Sequence, residues 1–122
     1  MIDVFVENRM KTITREELKA RLDRQEPAQV VMALGRWAYE RLRIPGSLNF
    51  ATIDEALDHL SPDREVIVYC ANPDCPASYR LYYHLQCLGF EKITRFAGGI
   101  EDWMEAGYPM EGSLAAELQM TV

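Results

Sequence analysis

Two cysteines in the segment Tyr69-Cys70-Ala71-Asn72-Pro73-Asp74-Cys75-Pro76-Ala77-Ser78 are the residues whose type and spacing point to chemistry. A thiolate is a strong nucleophile, and near neutral pH it forms where N–H groups, a helix N-terminus or a cation hold its charge. The run Val66-Ile67-Val68-Tyr69 is short, apolar and β-rich, as in a strand buried on both faces of a parallel sheet, and Cys70 ends it. Pro73 and Pro76 forbid the strand from continuing, and Pro76 suits the first position of a helix because its missing N–H is not needed there. That helix is predicted from about Pro76 to Leu88, with Ala77, Leu81, Leu85 and Leu88 on one face and Gly89 as its stop. Cys70 is therefore expected in a crevice at the mouth of the sheet, facing loop amides and a helix N-terminus, with a pKa below the free value of about 8.5.

Cys75 lies five positions after Cys70 on the same loop, near enough in sequence for the two sulfurs to meet. Two roles stand open for it: resolving a persulfide or sulfenate on Cys70 through an internal disulfide, or packing its thiol beneath the loop. Ser78 is either a donor to sulfur or an ordinary first-turn residue. Asp74 adds negative charge beside the thiol or simply starts the helix, and Pro73 and Pro76 remove two N–H donors, so a doubly charged anion is poorly served here. Cys87 reads as a packing residue. A zinc site from Cys70, Cys75, His84 and Cys87 is rejected, since His84 would lie about 12 Å beyond Pro76 along the helix and the cysteine spacing is not that of a zinc knuckle. Arg36, Arg43 and Arg80 are candidates for a pocket rim, and Trp37, Tyr39 and Trp103 for core or pocket wall.

The elements that must position this loop can be read in chain order. Ile2, Val4 and Val6 alternate weakly, as a strand or an ordered arm would, and Met10 to Ile13 reads as a short edge strand. Thr14-Arg15-Glu16-Glu17 is a capping box for a helix through about Asp23, with Leu18 and Leu22 facing inward. Gln29 to Leu34 is a second buried strand, and Gly35 to Arg43 has no clean period. Ile44 to Phe50 is a turn entering another extended piece, and Thr52-Ile53-Asp54-Glu55 opens a helix to about Leu60. After the central strand and helix come a strand from Glu91 to Phe96, a turn at Gly98-Gly99, a helix from Ile100 to Ala106 and a terminal helix within Ser113 to Met120. This alternation predicts an α/β domain with a parallel five-stranded sheet and helices on both faces.

At 122 residues, 48% hydrophobic and 26% charged, the chain reads as one globular domain spanning 1–122, with its core at about 12–110, an N-terminal arm at 1–11 and a tail at 111–122. The net charge of −6 and the absence of a basic run argue against nucleic acid. No apolar stretch approaches a membrane span or a signal-peptide core, so a cytoplasmic protein is expected, and three cysteines without such a signal favour thiol chemistry or burial over structural disulfides.

Three separated segments resemble the rhodanese-like domain, the sulfurtransferase fold. They are Arg43-Ile44-Pro45-Gly46-Ser47-Leu48-Asn49, the strand Val66 to Cys70, and Gly89-Phe90 through Gly98-Gly99-Ile100-x-x-Trp103-x-x-Ala106-Gly107-Tyr108-Pro109. The resemblance implies that Cys70 accepts sulfane sulfur, holds it as a persulfide in a cradle of N–H groups, and passes it to a thiol or other nucleophile. Ala71, Asn72, Pro73, Asp74, Pro76, Ala77 and Ser78 would line the substrate-binding loop, with Arg43 beside it. No cofactor or metal is implied, and the partners would be a small sulfur donor or a protein persulfide. The chain departs from the family pattern at several points. The loop is two residues longer, Ser78 falls on the family serine, Ala77 on its arginine, Arg43 on a histidine, and Met32 and Leu34 on an Asp-x-Arg pair. The phosphatase and arsenate-reductase chemistry of the same fold is disfavoured by the weakened anion site. The alternatives carried forward are a binding or regulatory module without turnover and a Cys70/Cys75 redox sensor.

Overall fold

The computed structural model describes residues 10–120, with side chains through Glu117. The weak alternation expected before Met10 lies outside the described residues. Helix α1 (Arg15–Asp23) starts where the capping box requires: the Thr14 hydroxyl accepts from the Glu17 amide at 3.1 Å, and the Glu17 carboxylate accepts from the Thr14 amide at 3.0 Å. Leu18 is fully buried and Leu22 packs beside it. Strands β1 (Gln29–Met32), β2 (Val66–Tyr69) and β3 (Ile93–Phe96) are buried along their whole length and pair in parallel in the order β1-β2-β3. Between them lie α2 (Arg36–Arg41), α3 (Ile53–His59) and α4 (Ala77–Cys87); α5 (Gly99–Glu105) and α6 (Ala115–Met120) follow.

The sheet has three strands among the described residues, where five were expected. The two missing strands are present as single parallel bridges on the outer edges, Leu48 beside Val31 and Thr12 beside Arg95. Each is cut short for a local reason. After Leu48 the Asn49 side chain, in place of a continuing ladder, donates to the carbonyls of Met32 (3.2 Å) and Leu34 (2.7 Å). After Thr12 the chain turns at once into the Thr14 cap, so the edge pairing consists of Arg95 N–H to the Lys11 carbonyl and Ile13 N–H to the Arg95 carbonyl.

Side chains alternate across the strands and form two apolar layers. Val30, Met32, Ile67, Tyr69 and Phe96 pack with Leu18, Ile100 and Trp103 on the face covered by α1 and α5. Val31, Val66, Val68 and Ile93 pack with Ala56, Tyr82 and Leu85 on the face covered by α3 and α4. Helix α2 has no buried residue, and Trp37 is exposed, which is why this stretch gave no periodic signal. The face of α4 also differs from expectation: Ser78, Tyr82 and Leu85 are its buried residues, while Leu88 is exposed. A polar residue at 78 broke the apolar pattern, and its inward position is set by the loop described below. No helix among the described residues is long and apolar enough to cross a membrane.

Candidate active site

β2 delivers Cys70 to the α4 face, since Val66, Val68 and Cys70 share the parity of the strand. Its root is pinned from below. The Cys70 carbonyl accepts from the Ile100 amide at 2.9 Å and the Ala71 carbonyl from the Glu101 amide at 3.0 Å, so the first turn of α5 fixes the backbone where the loop begins. This approach needs glycine at position 99, whose φ is +70° and where a Cβ would stand 2.5 Å from the Cys70 carbonyl oxygen.

The loop then folds back as a tight turn. The Asn72 carbonyl accepts from the Cys75 amide at 3.1 Å, the Asn72 side-chain oxygen accepts from the Asp74 amide at 3.0 Å, and the Asn72 amide group donates to Glu101 at 3.0 Å. Pro76 caps α4, and Pro73, Asp74 and Pro76 are exposed. The turn thus lays Cys75 over Cys70. Cys70 is 1% exposed, and its sulfur stands 3.5 Å from the Cys75 carbonyl oxygen and 3.1 Å from Ser78 Oγ. Cys75 is half-buried, and its carbonyl is the group of that residue that Cys70 reaches. An open crevice for Cys70 was expected; the structure covers it, with polar partners and a second sulfur in place of apolar packing.

The lowered pKa expected for Cys70 is also reversed. Burial pushes the Cys70 thiol up, the Cys75 sulfur adds to this, and the Ser78 hydroxyl and amide only partly offset them. For Cys75 desolvation likewise acts upward, but the hydrogen bond with Cys70, the amides of Ala71 and Ala77 and the Arg95 guanidinium outweigh it and hold the thiol below its usual value. Both shifts favour a negative charge on Cys75, the less covered of the two, over one on Cys70.

Arg95 was missed by sequence reasoning. It comes from the middle of β3, is 5% exposed, and donates from Nε to Ser78 Oγ at 2.8 Å and from Nη2 to the Pro73 carbonyl at 3.1 Å. Its guanidinium lies 4.5 Å from the centre of the Tyr79 ring. An arginine inside a strand otherwise written for burial was the available signal. The arginines expected at the rim lie elsewhere. Arg43 donates to the Tyr39 carbonyl at 3.1 Å and pairs with Glu111 at 3.4 Å, Arg36 sits over the Tyr39 ring, and Arg80 lines a groove between α3 and α4. That groove, about 420 Å³, reaches Ala77, and an open cleft of about 780 Å³ lined by Pro73, Glu101, Asp102 and Glu105 flanks the loop. Neither is lined by Cys70 or Cys75, so a reactant meets Cys75 at the surface of the loop. Cys87 is exposed on α4, away from the packing role read from the sequence.

This arrangement, a thiol pair at the carboxyl end of a parallel strand beneath a helix start, can be compared with known proteins. The BH2092 protein from Bacillus halodurans superimposes with a TM-score of 0.82 at 23% identity, over 94% of this chain and 86% of that one. The rhodanese-like domain of an Anabaena protein gives 0.74 at 28% identity, over 83% and 78%. A thiosulfate sulfurtransferase from Pseudomonas aeruginosa gives 0.72 at 23% identity, over 88% of this chain and 21% of that longer one. No curated protein matches the chain. The rhodanese-like domain family profile matches residues 14–106, from the cap of α1 to the end of α5, and the chain belongs to that family.

Proposed function

We propose that the protein is a sulfurtransferase that takes up sulfane sulfur on Cys75 and carries it as a persulfide on Cys70. The observation that supports this most is the placement of the thiol pair: Cys70 lies covered at the end of β2, 3.1 Å from Ser78 Oγ, and Cys75 lies half-buried on the turn above it. In the first step the Cys75 thiolate attacks the sulfane sulfur of a persulfide or polysulfide donor. A new S–S bond forms at Cys75, the donor's own S–S bond breaks, and the donor leaves as a thiolate or a shortened polysulfide. In the second, Cys70 gives its proton to the terminal sulfur of the Cys75 persulfide and its sulfur attacks that atom. The Cys70–sulfur bond forms as the Cys75–sulfur bond breaks, which returns Cys75 as thiolate and leaves Cys70 persulfidated beneath the loop. An acceptor thiolate then removes the terminal sulfur, with Cys70 as the leaving group.

Charge favours a sulfur borne on a thiol over a free dianion such as thiosulfate. Asp74 is exposed on the loop and the adjoining cleft carries Glu101, Asp102 and Glu105, while two prolines withhold N–H donors. A reducing cytosol, which keeps both cysteines as thiols and supplies low-molecular-weight persulfides, suits this chemistry. In the test, uptake of sulfur from glutathione persulfide is followed in wild type, Cys75→Ser and Cys70→Ser. Uptake is expected to slow at least about tenfold in Cys75→Ser, whereas Cys70→Ser accepts sulfur but fails to retain it. Wild-type rates and retention in both variants would rule the proposal out.

The placement of both cysteines in one tight turn, with the Cys70 sulfur 3.5 Å from the Cys75 carbonyl oxygen, also favours a second reading, a redox pair. There a peroxide converts the Cys75 thiolate to a sulfenate with release of water or hydroxide, and Cys70 displaces that oxygen to close a disulfide. A Cys70–Cys75 disulfide formed by peroxide at rates far above those for sulfur uptake would favour this reading.

A further inference from the structure

An arginine side chain that is almost wholly buried must find both hydrogen-bond acceptors and a counter-charge, because an isolated buried cation is costly. Arg95 has the acceptors. Ser78 Oγ takes Nε at 2.8 Å, the Pro73 carbonyl takes Nη2 at 3.1 Å, and the Tyr79 ring lies 4.5 Å from the guanidinium. Among the described residues no carboxylate lies within ion-pair distance of it. These three partners of the guanidinium belong to the loop or to the first turn of α4. Ser78 in turn stands 3.1 Å from Cys70, so the guanidinium is one hydroxyl removed from one sulfur and sits beneath the turn that carries the other.

We propose that Arg95 is the positioning residue of the sulfur pair, a fixed positive charge rooted in β3 that neutralises the anionic sulfur on Cys75 and ties the loop to α4 through Pro73 and Ser78. The inference rests on the thiol pair being the reactive site. The groups that act on Cys75 are Cys70 at the end of β2, the amides of Ala71 and Ala77, and Arg95 on β3; the other titratable groups around the loop are Asp74 beside it in sequence, Tyr79 over Arg95, and Glu101 on α5, which Asn72 holds. Arg95 is the cation of this set. Electrostatic support of Cys75 fits its position under the turn, since the Arg95 charge acts to lower the pKa of that thiol.

The experiment is the pH dependence of iodoacetamide alkylation at Cys75, read by peptide mass mapping in wild type, Arg95→Gln and Arg95→Lys, with circular dichroism to check folding. Glutamine keeps a donor for Ser78 and removes the charge; lysine keeps the charge and loses the fork. The expected result is a midpoint raised by about one pH unit in Arg95→Gln, so that alkylation below the midpoint slows about tenfold, and recovery of more than half of that shift in Arg95→Lys. A folded Arg95→Gln with the wild-type midpoint, or a folded Arg95→Lys displaced by a full unit, would overturn the assignment. Should Arg95→Gln fail to fold, Arg95→Lys decides alone by the same criterion. Alkylation needs no sulfur donor, so the result reports on Arg95 even if the protein transfers no sulfur.

Discussion

Cys70 and Cys75 are the same functional group in two environments a few ångströms apart, and their difference is the chemistry. Cys70 sits under the loop, where removing water from a thiolate costs more than the Ser78 hydroxyl and amide return. Cys75 sits on the loop, where the Ala71 and Ala77 amides, the Cys70 thiol and the Arg95 charge all favour the anion. Alkylation of the wild-type protein as a function of pH should therefore show Cys75 reacting below the free-cysteine value of about 8.5 and Cys70 only above it. The sign follows from the thiolate being the reactive form: a lowered pKa moves the onset of reaction to lower pH, a raised one to higher pH. Equal onset at the two sites, or Cys70 reacting first, would contradict the assignment of charge. The sequence made the pair visible and its order invisible. The spacing from Cys70 to Cys75 announced that the sulfurs could meet, but which one is covered depends on the Asn72 turn and on a guanidinium arriving from residue 95.

At the scale of elements, the site is held by what ends β2 and begins α5. The first amides of α5 take the carbonyls of Cys70 and Ala71, and the backbone approaches so closely that position 99 tolerates no Cβ. Gly99→Ala is expected to destabilise the fold by about 1–3 kcal/mol, read as a Tm lower by at least about 3 °C, and to slow sulfur uptake because the root of the loop must shift. An alanine variant as stable and active as wild type would remove α5 from the account. Strands and helices with strong local signals were legible: the Thr14 box, the buried runs of β1, β2 and β3, Pro76 at the start of α4 and Gly89 after it. The edge strands were not, because one bridge on each side depends on where Asn49 and the Thr14 cap stop the ladder. Helix α2 was lost because it buries nothing, and the inner face of α4 was misassigned because Ser78 serves the cysteines where a leucine would serve the core.

For the whole molecule, the fold divides the work between two layers. The layer under α1 and α5 carries the largest buried side chains, Trp103, Tyr69 and Phe96, and anchors the sheet. The layer under α3 and α4 opens at its carboxyl end, where Cys70, Ser78 and Arg95 take the places that apolar residues hold further down. Family membership accounts for the architecture, and the proposed transfer uses the two cysteines that the loop after β2 carries. The most direct test is to expose the wild-type protein briefly to glutathione persulfide, cap all sulfur with an alkylating agent, and map the peptides against time. The expected result is one added sulfur on the Cys70–Cys75 peptide, found first on Cys75 and later on Cys70, with exposed Cys87 unmodified at early times. Sulfur appearing first on Cys87, or absent from the loop peptide throughout, would contradict sulfur transfer through the pair.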